Sequence, residues 1–237
     1  AFCVGGRKLG TSCMPVPNMD IKIVDDNLKE VPTGEKGEII IRGGNVMKGY
    51  WKNPEATAQT IVDGWLRTED MGYIDSDGFL YVLGRTKALL ISDDGEKFSP
   101  EGIEESITAK STLIDQVVLY NNQKPYTTAL LVPNATELKK LASDPEEAAR
   151  LLESEIAQYL KGGKYEGLFP SRWIPSGLGF IEEHFSEKNG MVNSTMKIVK
   201  HVVYETYQDR LNELYTAEGK KATSQSNLKV IENLLNG

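Results

Sequence analysis

The sequence predicts an α+β fold: an antiparallel, β-rich first part followed by a smaller domain in which a short sheet is flanked by helices. Three observations predict it. Short strand-like runs separated by Gly, Pro, Asp and Asn turns fill the chain up to Gly84. Sustained helical spacing of apolar residues begins only after Ser99. Between the two lies Trp65 to Glu105, which reads turn, strand, turn, strand, glycine-bearing loop and helix start, with charged residues at the joints.

Residues 1 to 20 carry Gly5, Gly6, Gly10, Pro15 and Pro17 and read as loop. Ile21 to Asp25 alternates toward a strand that turns at Asp25-Asp26-Asn27. Val31 to Gly37 is a second turn and Glu38 to Arg42 the next strand. Asn53-Pro54-Glu55 opens a short helix: a capping side chain, proline at the first helical position, then an acid facing the dipole. That helix is predicted to end near Asp63-Gly64, and Tyr50 and Trp51 read as packing aromatics. Asp75 to Gly78 has hairpin-turn composition, and its carboxylates read as solvated because a calcium loop would need a glutamate at fixed spacing.

Leu89 to Ser92 is a predicted strand and Asp93 to Phe98 a loop. Ser99-Pro100-Glu101 then starts a helix that runs through Ile103 and Ile107 to about Lys110. Ile114 to Tyr120 and Thr127 to Val132 read as strands around a hairpin turn at Asn121 to Pro125, with a short helix after them. Asp144 begins a helix whose Ala148, Leu151, Leu152, Ile156, Tyr159 and Leu160 fall at helical spacing until Gly162-Gly163; its role is packing. Ile181 and Phe185 continue a strand toward a turn at Ser186 to Gly190. Val202 to Tyr215 reads as one amphipathic helix, residues 216 to 224 as a polar mobile stretch, and Leu228 to Leu235 as a last helix.

Composition narrows the function classes. With 237 residues and 40% hydrophobic content the chain can bury one sizeable core or two modest ones. A net charge of -7 and a pI near 5.1 carry no nucleic-acid footprint and suit an acidic cytoplasmic protein. Cys3 and Cys13 give neither a disulfide framework nor metal-ligand spacing, the two histidines lie far from both, and free thiols fit a reducing compartment. No run approaches the roughly 18 to 20 apolar residues of a membrane span, and the first residues do not read as a signal peptide. The start at Ala-Phe-Cys, without Met, reads as that of a fragment of a longer protein.

The chemistry concentrates in the central stretch. Asp70 follows Thr68 and Glu69, and Arg85 follows Gly84 at the end of the apolar run Phe79 to Leu83. A carboxylate and a guanidinium at two neighbouring strand ends can converge on one crevice. There the Asp accepts paired hydroxyl hydrogen bonds and the Arg fork binds hydroxyl or phosphate oxygens. Singly, each is also an ordinary solvated turn residue; the linked pattern carries the reading. It consists of W-x-R-T-x-D at Trp65 to Asp70, G-x-L-x-x-x-G-R-x-K at Gly78 to Lys87, the loop around Gly95, and P-x-x-I-E at Pro100 to Glu104. Upstream stand Gly37-Glu38, Arg42-Gly43 and Gly49-Tyr50-Trp51-Lys52-Asn53-Pro54-Glu55-Ala56-Thr57. In this order the segments resemble the adenylate-forming (AMP-binding) acyl-CoA synthetase superfamily. Val192 to Lys200 resembles the lysine-bearing motif of its long-chain fatty-acid–CoA ligase branch, with Ser194 in place of the usual proline and His201 in place of an arginine.

The resemblance implies a role for each matching residue. Asp70 would bind the ribose hydroxyls of ATP and of the acyl-adenylate, with Arg85 at the ribose or phosphate. Glu69 replaces the usual glycine of T-G-D, with little harm expected because the Asp is kept. Lys87 falls at the family's interdomain hinge, although Ala88 replaces the usual acid. Gly95 matches the position lining the pantetheine tunnel; read locally, it serves equally as a turn glycine. Lys197 matches the catalytic lysine, whose cation can meet carboxylate and α-phosphate oxygens as charge crowds on phosphorus.

The implied domains are 1–84, the C-terminal portion of the AMP-binding N-terminal domain; 85–217, a mobile α+β domain with its hinge near 87; and 218–237, a C-terminal extension. The implied cofactors are ATP, Mg2+ and CoA, with Mg2+ and most ATP contacts supplied by an upstream phosphate loop, and no metal ligand falls in this chain. The implied partners are a fatty acid, ATP and CoA, with no nucleic acid and no transmembrane segment; peripheral membrane association of the parent stays open. The fragment is expected to be inactive alone. A ligase of the same superfamily for a short-chain acid, an aromatic acid or a carrier protein is the first alternative. A stand-alone nucleotide- or partner-binding module is the second.

Overall fold

Apolar residues gather in separate clusters on the two sides of Leu89–Leu90, and the chain divides there into two compact units, Ala1–Leu89 and Leu90–Gly237. The structure, a computed structural model, describes residues 8–12 and 14–237 apart from the side chain of Lys87, so Cys3 and Cys13 lie outside the described residues. The sequence reading set its boundary a few residues earlier, between 84 and 85.

In the first unit the alternating runs become β1 (Met19–Val24), β2 (Gly37–Gly43), β3 (Ile61–Val62), β4 (Trp65–Ile74) and β5 (Leu80–Arg85). They form one five-stranded antiparallel sheet ordered β1-β2-β4-β3, with β3 pairing the start of β4 and β5 pairing its end. Ile23, Ile39 and Leu80 form its core, with Ile21, Val31, Ile41 and Ile74 packed against them. Helix α1 (Pro54–Thr60) starts where expected, and Asn53 Oδ1 accepts the Ala56 N–H at 3.0 Å. It stops sooner than the sequence reading placed it. The β-branched pair Ile61-Val62 joins the sheet, and Asp63-Gly64, both at positive φ, become a hairpin turn into β4.

Two further expectations are corrected here. Trp51 is 88% exposed and Tyr50 is exposed as well, because the turn before α1 holds them off the small core. The carboxylates of the 75–78 turn are not simply solvated: Lys8 Nζ reaches Asp75 Oδ2 at 2.6 Å and Asp77 Oδ2 at 2.9 Å.

The second unit is built on β8 (Ile114–Tyr120), β10 (Thr128–Pro133) and β11 (Gly177–Phe180). β10 lies antiparallel to β8 and parallel to β11. Successive side chains of a strand point to opposite faces, and both faces of this sheet are covered. Leu119, Leu131 and Phe180 pack on one side with Ile103, Leu152 and Ile231; Val118, Leu130 and Val132 pack on the other with Val203, Leu211 and Leu214. Each such side chain contributes about 1.5–3 kcal/mol on burial. The helices are α2 (Glu101–Lys110), α3 (Ala135–Leu141), α4 (Pro145–Ala157), α5 (Lys200–Thr206), α6 (Gln208–Glu213) and α7 (Gln225–Asn236). Asn134 and Asp144 cap α3 and α4 by accepting the N–H groups of Glu137 and Glu147. A small second sheet, ordered β7-β6-β9, comprises β6 (Leu90–Ser92), β7 (Lys97–Phe98) and β9 (Asn122–Lys124).

Long-range pairing explains the remaining departures. The predicted turn at 121 to 125 contains β9, which pairs in parallel with β6. The strand placed before the 186–190 turn ends at Phe180, with Ile181 and Phe185 buried beyond it. The helix expected over 202 to 215 divides at Tyr207 (φ -107, ψ 25), whose ring meets Phe185 edge-on at 6.3 Å. Residues 216 to 224 form a succession of turns with Ala222 and Ser224 buried. Finally, 218–237 is no appended extension. α7 packs beside α4, and the buried Asn227 accepts the Phe180 N–H at 2.8 Å, donates to Leu178 O at 2.8 Å and is gripped by Arg210.

Candidate functional site

In the first unit the register sets the geometry. Asp70 on β4 lies directly opposite Arg85 on β5. Arg85 Nε stands 3.3 Å from Asp70 Oδ1, and its Nη1 lies 3.9 Å from Glu69 Oε2. The expected convergence of carboxylate and guanidinium is therefore present. Both groups open to solvent, with side chains 37% and 62% exposed, so each keeps hydrogen-bonding capacity for a ligand.

Local chemistry aims them. Arg67 grips Glu38 through Nη2 at 2.7 Å and Nε at 3.3 Å, and Glu38 Oε1 also accepts the Glu69 N–H. Thr68 Oγ1 donates to Ile39 O at 2.7 Å and accepts the Asp70 N–H at 3.0 Å. The β4–β5 register shifts between Met71 and Gly72, next to Glu69 at φ +58. Gly72 is required there, since a Cβ would fall on Tyr81 O and within 2.7 Å of Ile39 Cδ1. Arg67 and Glu38 are supports that sequence reasoning passed over, although both stand in the quoted motifs.

In the second unit Lys197 projects from a tight turn. Asn193 Oδ1 accepts the N–H of Thr195 (3.0 Å), its hydroxyl (2.8 Å) and the N–H of Lys197 (2.9 Å), while Val192 and Ile198 close the turn as a β-bridge. Met196 takes φ +61 to complete it. Lys197 is exposed on the rim of a cleft of about 720 Å³ that also carries Glu101, Glu105 and Gln116.

Three residues on, Lys200 anchors the turn to the core. Its Nζ lies 2.7 and 3.0 Å from the Glu104 carboxylate, the two side chains being only 17% and 12% exposed. Glu104 Oε1 also accepts the Leu119 N–H at 2.8 Å. Burial pushes the Glu104 carboxyl above the usual carboxylate range, while the Lys200 ammonium and the Leu119 N–H pull it back. Tyr204 donates to Leu119 O at 2.7 Å, and burial raises its phenol strongly. The Glu104–Lys200 link bridges residues 96 apart, so no local sequence pattern announces it.

Gly95 lies at the tip of the β6–β7 hairpin with φ +84, its N–H donating to Ser92 O at 3.0 Å. A Cβ there would meet nothing within 4 Å, so within this unit the backbone conformation, not crowding, favours glycine. The backbone of Lys87 lies in the 3₁₀ turn Thr86–Ala88, and its side chain lies outside the described residues. Among the described residues no group of three or more His, Cys, Asp or Glu side chains is placed to hold a metal. No helix of the described residues is long and apolar enough to cross a membrane.

The β-rich unit thus presents a paired Asp and Arg, and the α+β unit an exposed lysine on a fixed turn. The fold matches the adenylation domain of a carboxylate reductase from Mycobacterium chelonae, with a TM-score of 0.70 at 27% identity over 83% of this chain and 31% of that one. It also matches O-succinylbenzoate coenzyme A synthetase from Bacillus subtilis in complex with AMP, with a TM-score of 0.56 at 26% identity over 82% and 35% of the two chains. A long-chain-fatty-acid–CoA ligase from Mycobacterium tuberculosis is 31% identical over 226 residues, 89% of this chain and 35% of the ligase. Residues 4–51 match the AMP-binding enzyme family and residues 87–165 its C-terminal domain. The chain belongs to the AMP-binding enzyme family. It spans about a third of the length of the curated relatives it matches.

Proposed function

We propose that the intact protein carrying this chain is an acid–CoA ligase of long-chain fatty-acid type, working in the cytoplasm. It joins a carboxylic acid to AMP from ATP, releases pyrophosphate, and passes the acyl group to the thiol of CoA. The observation that carries the reading is the solvent-open apposition of Asp70 and Arg85 at 3.3 Å in a chain of the AMP-binding family. A solvent-open carboxylate that keeps acceptor capacity beyond its Arg85 contact suits a vicinal diol such as a ribose, and a guanidinium beside it suits hydroxyl or phosphate oxygens. Lys197 is the proposed charge-neutralising group, its cation meeting the acid carboxylate and the α-phosphate. Gly95 is assigned to the path of the CoA thiol arm, and Lys87 to the pivot between the units.

ATP, when bound, would supply the adenylyl group and Mg2+ would offset phosphate charge, the metal's ligands being proposed to lie elsewhere in the parent. The chain by itself is proposed to be inactive. The long-chain assignment is supported by the Mycobacterium tuberculosis relative, whereas the Bacillus subtilis neighbour is a synthetase for a different acid.

The test uses the intact protein carrying Lys197→Ala. Pyrophosphate release with ATP and a long-chain acid is expected to fall at least about a hundredfold, the scale of losing one preorganised transition-state charge partner. Thioester formation from preformed acyl-adenylate and CoA is expected to survive. Equal pyrophosphate release by wild type and variant would refute the lysine's role. A panel of short, aromatic and long acids settles the acid class.

A further inference from the structure

The hairpin that carries Gly95 is short and crowded with charge. β7 has two residues, and Asp93, Asp94 and Glu96 surround the glycine. Its internal bonds are local: Ser92 N–H to Glu96 O at 2.9 Å, Gly95 N–H to Ser92 O at 3.0 Å, and Glu96 N–H to Asp94 Oδ1 at 3.0 Å. A loop whose acidic side chains repel one another, closed by a strand of only two residues, does not hold a single tip conformation unaided.

The restraint comes from the 3₁₀ turn Ser171–Trp173, 78 residues further along the chain. Arg172 straddles the glycine. Its Nη1 donates to Asp94 Oδ2 at 3.0 Å and its Nη2 is paired with Glu96 Oε2, so one planar fork holds the carboxylates on both sides of Gly95. Trp173 adds a second hold on the same Glu96, with Nε1 donating to Oε2 at 2.9 Å. The indole is itself fixed, stacked on the buried Phe98 ring with centroids 4.8 Å apart and planes 5° from parallel. An isolated surface ion pair is worth little because its side chains are free to leave. Here the fork closes on two carboxylates, and a core-anchored indole shares one of them.

We infer that Arg172 and Trp173 are positioning residues that fix the Gly95 tip and neutralise its flanking carboxylates, so that a polyphosphate-bearing thiol can approach. This rests on the proposed assignment of Gly95 to the path of the CoA thiol. It places the clamp's influence on thioester formation and leaves adenylation untouched.

The experiment uses the intact protein in four forms besides wild type: Gly95→Leu, Arg172→Ala, Arg172→Lys and Trp173→Phe. Three quantities are read: pyrophosphate release with ATP and acid, thioester formation from preformed acyl-adenylate across a CoA series, and the melting midpoint. Arg172→Ala is expected to raise the KM for CoA about tenfold, the equivalent of one lost charge-assisted hydrogen bond, with pyrophosphate release and melting unchanged. Arg172→Lys, keeping one cation, recovers part of the loss. Trp173→Phe, keeping the ring stack, gives a smaller rise. If Gly95→Leu blocks thioester formation while Arg172→Ala leaves the KM for CoA unaltered, the clamp is refuted and the Gly95 assignment survives. If Gly95→Leu leaves thioester formation intact, the Gly95 assignment fails and the clamp's function falls with it. If Arg172→Ala lowers both half-reactions together with the melting midpoint, its role is structural only and the inference is overturned.

Discussion

Glu69 occupies φ +58, a left-handed backbone conformation that costs a side-chain-bearing residue about 1–2 kcal/mol. It does so one residue before Asp70, where the β2–β4 pairing is irregular between Arg67 and Met71. Glycine at 69 would relieve the strain and keep the N–H donated to Glu38, losing part of the gain to its greater freedom when unfolded. Glu69→Gly is therefore expected to raise stability by about 0.5–1 kcal/mol, read as a higher denaturant midpoint. A lower midpoint would mean that the Glu69 side chain contributes more than its backbone costs.

At the scale of elements, two joints make testable claims. The turn bearing Lys197 is tied to α2 and β8 through Lys200 and Glu104. Removing one partner of a buried pair leaves a stranded charge or donor and is expected to cost about 3 kcal/mol in either Glu104→Gln or Lys200→Met. The double variant should cost less than the sum of the two, since neither charge remains. Strict additivity in the double-mutant cycle would show that the pair is uncoupled. The second joint is α7 against β11. Asn227→Ala leaves the buried Phe180 N–H and Leu178 O without their partner. A loss of about 3 kcal/mol is expected in chemical denaturation, and a loss below about 0.5 kcal/mol, the level of an ordinary surface change, would contradict the stapling role.

For the whole molecule, the separation of the cores is the main point. The sheet of the second unit is covered on both faces by its own residues, and the cluster of the first unit contains none of them. Residues 90–237 expressed alone are expected to fold, giving dispersed amide resonances and one cooperative melting transition. A collapsed spectrum without cooperative melting would show that the unit needs the rest of the chain. The two sets of proposed site residues are divided the same way, with Asp70 and Arg85 in one unit and Gly95 and Lys197 in the other. Mutations in each set can thus be screened for folding within their own unit before any assay of the parent.

Much of this was legible in the sequence. Asn53 and Asp144 fixed helix starts, the 114–120 strand fell where its apolar run lies, and Asp70, Arg85, Gly95 and Lys197 were singled out by motif. Capping, side-chain periodicity and turn chemistry act over a few residues, so they leave a local record. What required the tertiary structure was everything held by a distant partner. The strand inside the 121–125 turn, the break at Tyr207 and the return of α7 belong here, as do the Glu104–Lys200 pair and the Arg172 fork over Gly95. Each is decided by a hydrogen bond or packing contact made across the fold, where spacing along the chain carries no signal.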